Sequence, residues 1–191
     1  MNSTTISGEY YLQGMREMAS GFLLKPDHTF QFFFTYGALD RVGSGKWAVE
    51  NGRLFLNSLA KPPNGYTLVK SGKKEHDFIQ IVLEGDNHMA MRHTFVSLED
   101  GAEGSWKQMN QQGDVQFPKQ EIHSISLLLE FCPERIAVIP VAYKDHNEFI
   151  FRLGPSIIEV FFDNFSLQAG PNALSGGHPL MQGNEFRYAK Q

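Results

Sequence analysis

Phe30-Gln31-Phe32-Phe33-Phe34-Thr35-Tyr36 is the stretch on which the fold class turns. Phe30, Phe32, Phe34 and Tyr36 alternate with Gln31, Phe33 and Thr35. A period of two is the signature of a strand, and aromatic rings suit a pleated face. The same alternation recurs at Ile125, Leu127, Leu129 and Phe131, at Phe149, Phe151 and Leu153, and at Ile79, Ile81 and Leu83. Turn chemistry separates these runs: Lys25-Pro26-Asp27-His28, Glu50-Asn51-Gly52, Glu84-Gly85-Asp86-Asn87, Gln111-Gln112-Gly113 and Gln182-Gly183-Asn184. Asn51-Gly52 is the strongest hairpin signal, because both residues tolerate positive φ. Glu9 to Met18 is the best helical candidate, and Gly8 and Gly14 weaken it. Short strands with turns every ~8–12 residues predict an all-β sandwich or barrel.

The 191 residues carry 17 Lys and Arg against 21 Asp and Glu, a net charge of -4. This mild acidity gives no electrostatic footprint for nucleic acid or anionic lipid. With 41% hydrophobic and 20% charged residues, the composition is that of a globular protein. The single cysteine, Cys132, allows no internal disulfide, and its neighbours Glu130 and Glu134 would raise its pKa, so an inert thiol is expected. No apolar run approaches the ~18 residues of a membrane-spanning helix. The opening Met1-Asn2-Ser3-Thr4-Thr5 has neither a basic segment nor an apolar core, so it is not read as a signal peptide. A complete chain is expected to be cytoplasmic, and one from which a leader was removed periplasmic or secreted.

The Gly8 to Ser58 region carries a recognisable outline: Gly8-Glu9-Tyr10-Tyr11-Leu12, Leu24-Lys25-Pro26-Asp27-His28-Thr29-Phe30, Gly45-Lys46-Trp47 and Gly52-Arg53-Leu54-Phe55-Leu56. It resembles small bacterial lipocalin-like modules, with His28 standing where that pattern usually has glycine. Tyr36-Gly37-Ala38-Leu39-Asp40, Phe161-Phe162-Asp163-Asn164 and the closing Phe186-Arg187-Tyr188-Ala189-Lys190 make it similar to a group of uncharacterised bacterial proteins. Many of these carry an export signal. The resemblance implies architecture and no activity. Residues 78–153, with Gly113-Asp114-Val115-Gln116-Phe117-Pro118, resemble a transthyretin-like β-sandwich. The expected organisation is a lipocalin-like barrel or half-barrel over 1–72, completed by a returning tail at 154–191, with a smaller antiparallel sandwich at 73–153 as an insertion. Closing the barrel removes exposed strand edges. Two consecutive domains with a break near Ser71 are the alternative. Lys61 to Tyr66 reads as a rigid loop, Ser71 to His76 as a linker and Ala169 to Pro179 as a glycine-rich connection.

No constellation assembles a reactive centre. His88 and His93, read on a strand, fall on opposite faces. His146 and Glu148 could share a face but make only half a metal site, so solvated loop histidines, no metal and no cofactor are expected. Gly43-Ser44-Gly45 and Leu174-Ser175-Gly176-Gly177-His178 read better as turns than as nucleophile elbows. Glu159 and Asp163 sit in an apolar stretch, and a solvent-facing glutamate and a turn aspartate are the simpler reading. Aromatics are the one excess: 16 Phe, 6 Tyr and 2 Trp. They line a cavity or fill a small core. The expected function is non-catalytic binding, of a small apolar molecule in the barrel or of a protein on an exposed face. Tyr36, Trp47 and Arg187 are the expected mouth of such a cavity. The alternatives are a hydrolase with a histidine–carboxylate site at the module boundary, and a purely structural interaction domain.

Overall fold

A computed structural model describes residues 6–61, 63–98, 101–102 and 104–191, and the protein is built almost wholly of strands. The chain opens with β1 (Gly8–Leu12), β2 (Met18–Leu24), β3 (Thr29–Tyr36), β4 (Leu39–Glu50) and β5 (Arg53–Asn57). The middle holds β6 (Tyr66–Gly72), β7 (Phe78–Glu84), the short helix α1 (His88–Arg92), β8 (Thr94–Ser97), β9 (Lys107–Gln108), β10 (Asp114–Pro118), β11 (Ser124–Leu129), β12 (Ala137–Pro140) and β13 (Glu148–Leu153). It closes with β14 (Phe165–Ala169), β15 (Ala173–His178) and β16 (Met181–Lys190). Two compact units result: the described residues before Pro63 joined by Ile158–Gln191, and Pro63–Ile157.

The first unit is a closed antiparallel barrel of eight strands, in the order β1-β16-β15-β14-β5-β4-β3-β2. Its hairpins follow the turn chemistry. Asn51 and Gly52 take φ 49 and 77 between β4 and β5, as a two-residue hairpin turn requires. Asp27 accepts hydrogen bonds from the Thr29 amide at 2.9 Å and the Thr29 hydroxyl at 2.6 Å. This ties the β2–β3 turn, where His28 adopts φ 63. On β3, Phe30, Phe32 and Phe34 point inward and are buried, whereas Gln31, Phe33 and Thr35 point outward. They join Tyr10, Phe22, Trp47, Leu54, Leu56, Leu167, Leu174 and Tyr188 in one core.

Phe162 plugs this barrel. Its ring meets Phe30 at 5.0 Å and Phe32 at 5.4 Å, both edge-on. The segment carrying it runs along β4, where the Val160 amide donates to the Val42 carbonyl at 2.7 Å. Gly43 makes room, since a Cβ there would stand 2.5 Å from the Phe162 ring. A Cβ on Gly45 would collide with the Asn57 carbonyl. Gly43-Ser44-Gly45, read as a turn, is therefore the middle of a 12-residue strand. The glycines mark close chain crossings there. The Ala169 to Pro179 segment likewise holds β15, paired with β14 and β16. Glu9 to Met18 forms β1 and a turn at Gly14, φ 84, not a helix.

The second unit contains two four-stranded sheets, β10-β7-β13-β6 and β12-β11-β8-β9. Both bury one face, with Ile79, Ile81, Leu83, Phe149 and Phe151 from the first and Val96, Ile125, Leu127 and Leu129 from the second. One pair, β13 with β7, is parallel. Strand β6 pairs with β13 and buries Tyr66, so the division falls before Pro63 and not at 72–73. Ser71 to His76 is not a free linker. Asn147 clasps it, donating to the Lys74 and His76 carbonyls at 3.2 and 3.0 Å and accepting from the Lys74 amide at 2.7 Å. The stretch holding His88 and His93, read as a strand, begins as a helical turn, because the Asn87 side chain accepts from the Ala90 amide at 3.0 Å and caps it. His88 and His93 accordingly lie on α1 and at its C-terminal end.

Candidate functional site

Tyr36, Trp47 and Arg187 do not converge. Trp47 is 3% exposed, stacks on His28 at 4.5 Å and donates its indole N–H to the Lys25 carbonyl at 3.0 Å. It is a core residue at the β2–β3 end of the barrel. Tyr36 is 48% exposed at the opposite end of the same β3–β4 pairing, facing Leu39. Arg187 is exposed on β16, on the phase opposite to buried Tyr188. The period-two pattern places each on a strand, but the rim at which it lies depends on the register of partners distant in sequence.

The barrel interior holds polar groups in place of a mouth. His178, expected in a solvated loop, is 5% exposed among Phe32, Phe34, Phe186 and Tyr188. Its Nδ1 accepts from the Leu180 amide at 3.0 Å, so the ring proton resides on Nε2, which donates to Ser20 Oγ at 3.0 Å. Ser20 passes its own proton to the Phe33 carbonyl at 3.0 Å. A nucleophilic serine needs the reverse polarity, with histidine accepting its proton. This chain instead satisfies three buried groups. Burial pushes the His178 pKa down to about 4, which keeps the imidazole neutral. Arg41 is also buried, and its Nε donates to the Ile158 carbonyl at 3.0 Å.

The hollow with binding geometry lies on the outside of the barrel, across β1 to β4. It encloses about 700 Å³, within the usual range for small-molecule sites. Two outward rows build its floor. Glu9, Leu23, Gln31 and Ser44 stand side by side through the strand register, and so do Tyr11, Gly21, Phe33 and Val42. Gly21 is the key to the second row. A Cβ there would be 2.9 Å from the Phe33 ring, so the ring packs against the bare backbone of β2. Lying there, it meets Tyr11 edge-on at 5.8 Å. Ser58 to Ala60 and Glu159-Val160 form the wall. That wall is fixed: Ser58 Oγ donates to the Ser44 carbonyl at 3.0 Å and accepts from the Phe162 amide at 3.1 Å. Tyr11, Val42 and Leu59 are 38%, 44% and 77% exposed, so the apolar surface is open to solvent.

The Tyr11 hydroxyl donates to Glu9 Oε2 at 3.1 Å. That hydrogen bond, and then the carboxylate charge, raise the Tyr11 pKa above its usual value. Glu159, read as a simple solvent-facing residue, lines the groove. Sequence reasoning passed over Tyr11, Leu23, Phe33 and Val42. The available signal was Phe33, an aromatic ring on the polar phase of an otherwise alternating strand.

Elsewhere, one histidine–carboxylate pair is well formed: His93 Nδ1 meets Glu130 at 2.7 Å, within the second unit. Its Nε2 is engaged by Arg92 Nε at 3.3 Å, so that nitrogen has a partner. The single cysteine, Cys132, is buried. Among the described residues, no group of three or more His, Cys, Asp or Glu side chains is placed to hold a metal ion, and no helix is long and apolar enough to cross a membrane. The fold and groove define an all-β protein with a side-chain-filled barrel and an external hollow. No family model, curated protein or solved structure matches the chain.

Proposed function

We propose that this is a binding protein whose ligand sits in the groove on the outer face of β1 to β4, and not inside the barrel. The observation that carries this reading is the Phe33 ring, packed on Gly21 against Tyr11 on the outer face and only half-buried. An aromatic floor with a few polar groups at its margin is the usual build of a small-molecule site. The interior is a poor alternative, because Phe162 and the rings around it occupy it. The lipocalin-like outline of the first unit agrees with a binding role, with the site moved from the lumen to the wall.

Titration with the neutral dye N-phenyl-1-naphthylamine tests this. Saturable enhancement is expected, weakened about tenfold or more by Phe33→Ala, which removes the floor. Val138→Ser, at an apolar position 50% exposed in the second unit, is expected to change nothing. A dye signal that is absent, or that survives Phe33→Ala unchanged, overturns the reading.

A further inference from the structure

The charge around the groove says what kind of ligand it takes. Among its described lining residues, Glu9 and Glu159 are the ionisable acids, and there is no lysine, arginine or histidine. Glu9 is oriented by the Tyr11 hydroxyl that donates to it. Gln31 and Ser44 continue the same row with an amide and a hydroxyl that can accept. The adjoining row offers the faces of Tyr11 and Phe33 and the methyls of Val42. One strip is therefore anionic and accepting, and the strip beside it is aromatic and apolar. A phenol that donates to a carboxylate keeps an electron-rich ring, which favours a nearby cation.

We infer that the ligand is an organic cation, a protonated or quaternary nitrogen carried on an apolar body. The nitrogen sits against Glu9 and the body lies on Phe33 and Val42. This rests on the groove being the binding site, and it goes further by fixing the sign of the ligand. An anion meets the Glu9 carboxylate, and a neutral molecule gains only the apolar strip.

The test uses three probes of one shape on the full-length chain: 4-phenylbutylamine, 4-phenylbutanol and 4-phenylbutanoate. Binding is followed by the NMR shifts of Leu23, Phe33 and Val42. The amine is expected to bind about tenfold more tightly than the alcohol, and the acid more weakly than either. Added salt is expected to shrink the preference for the amine. Glu9→Gln is expected to bring the amine down towards the alcohol, with an unchanged urea midpoint showing that the variant is folded. An alcohol that binds in the groove as tightly as the amine overturns the charge assignment and leaves the groove reading standing. A preference for the amine that survives both Glu9→Gln and Glu159→Gln also overturns it. If none of the three shifts these resonances, both readings fall.

Discussion

Phe32 and Phe33 are neighbours on β3 and lie on opposite sides of the barrel wall. Phe32 is 2% exposed and packs against Phe22 at 5.2 Å and Phe162 at 5.4 Å. Phe33 packs on β2 at Gly21 and is half-buried. The inner face is therefore sealed by its own side chains, whereas the outer face presents the partly exposed rings of Tyr11 and Phe33 to the groove. Two aromatics of the same type, one residue apart, thus differ in what they contribute: the first stability, the second a surface for something else. A half-buried ring keeps only part of the ~2–3 kcal/mol that full burial would give. Under the proposed reading, a ligand covers the part that folding leaves open.

The sharpest way to break this contrast is to truncate one ring on each side. Phe162→Ala removes the plug from the interior and is expected to destabilise the barrel by about 3–5 kcal/mol. Phe33→Ala is expected to cost only about 1 kcal/mol while weakening groove binding about tenfold or more. Urea unfolding in a Trp106→Phe background checks this, because Trp47 then reports on the barrel alone. Equal costs would make the outer face a second core and remove the argument for a site.

A smaller effect separates the two faces by pH. His178 is held neutral inside the barrel with a pKa near 4, against about 6.5 in the unfolded chain. The folded value is the lower one, so between pH 6.5 and 4 the unfolded state binds more protons. The stabilisation is complete above 6.5 and drains away as the pH falls towards 4. The loss is about 2 kcal/mol once solvent screening near the rim is allowed for. Urea midpoints measured across that range are expected to fall, and His178→Phe is expected to flatten the fall, although it lowers stability at neutral pH by orphaning Ser20 and the Leu180 amide. An identical slope in that variant would mean that other histidines carry the acid sensitivity.

The strands of both units are legible from period two and turn residues, and the hairpins at Asp27-His28 and Asn51-Gly52 from their φ requirements. What was not legible depends on contacts between distant residues. Gly43 and Gly45 look like a turn until Phe162 and Asn57 are seen crossing them. Strand β6 looks like part of the first unit until its pairing with β13 is known. Trp47 and Tyr36 look like one mouth because alternation gives a face and not a height along the barrel. The groove is a partial exception. Phe33 stood out of phase in the sequence, but that it lies over Gly21 and beside Tyr11 follows from the β1–β2–β3 register, which local pattern does not encode.

The smallest effect concerns the hydrogen bond from Tyr11 to Glu9, between the two strips of the groove. Tyr11 resists ionisation because its hydroxyl donates to Glu9 and its phenolate would face that carboxylate. Glu9→Gln removes the charge and keeps the side-chain length. The Tyr11 phenol is then expected to titrate at lower pH, closer to its ordinary value, while buried Tyr188, whose pKa is raised by desolvation, does not move. Ring carbon shifts of labelled tyrosines resolve the two residues, and the unfolding midpoint is expected to stay where it was. If Tyr11 titrates unchanged in the variant, the carboxylate is not held against the ring in solution, and the anionic strip loses the contact that aims it at a cation.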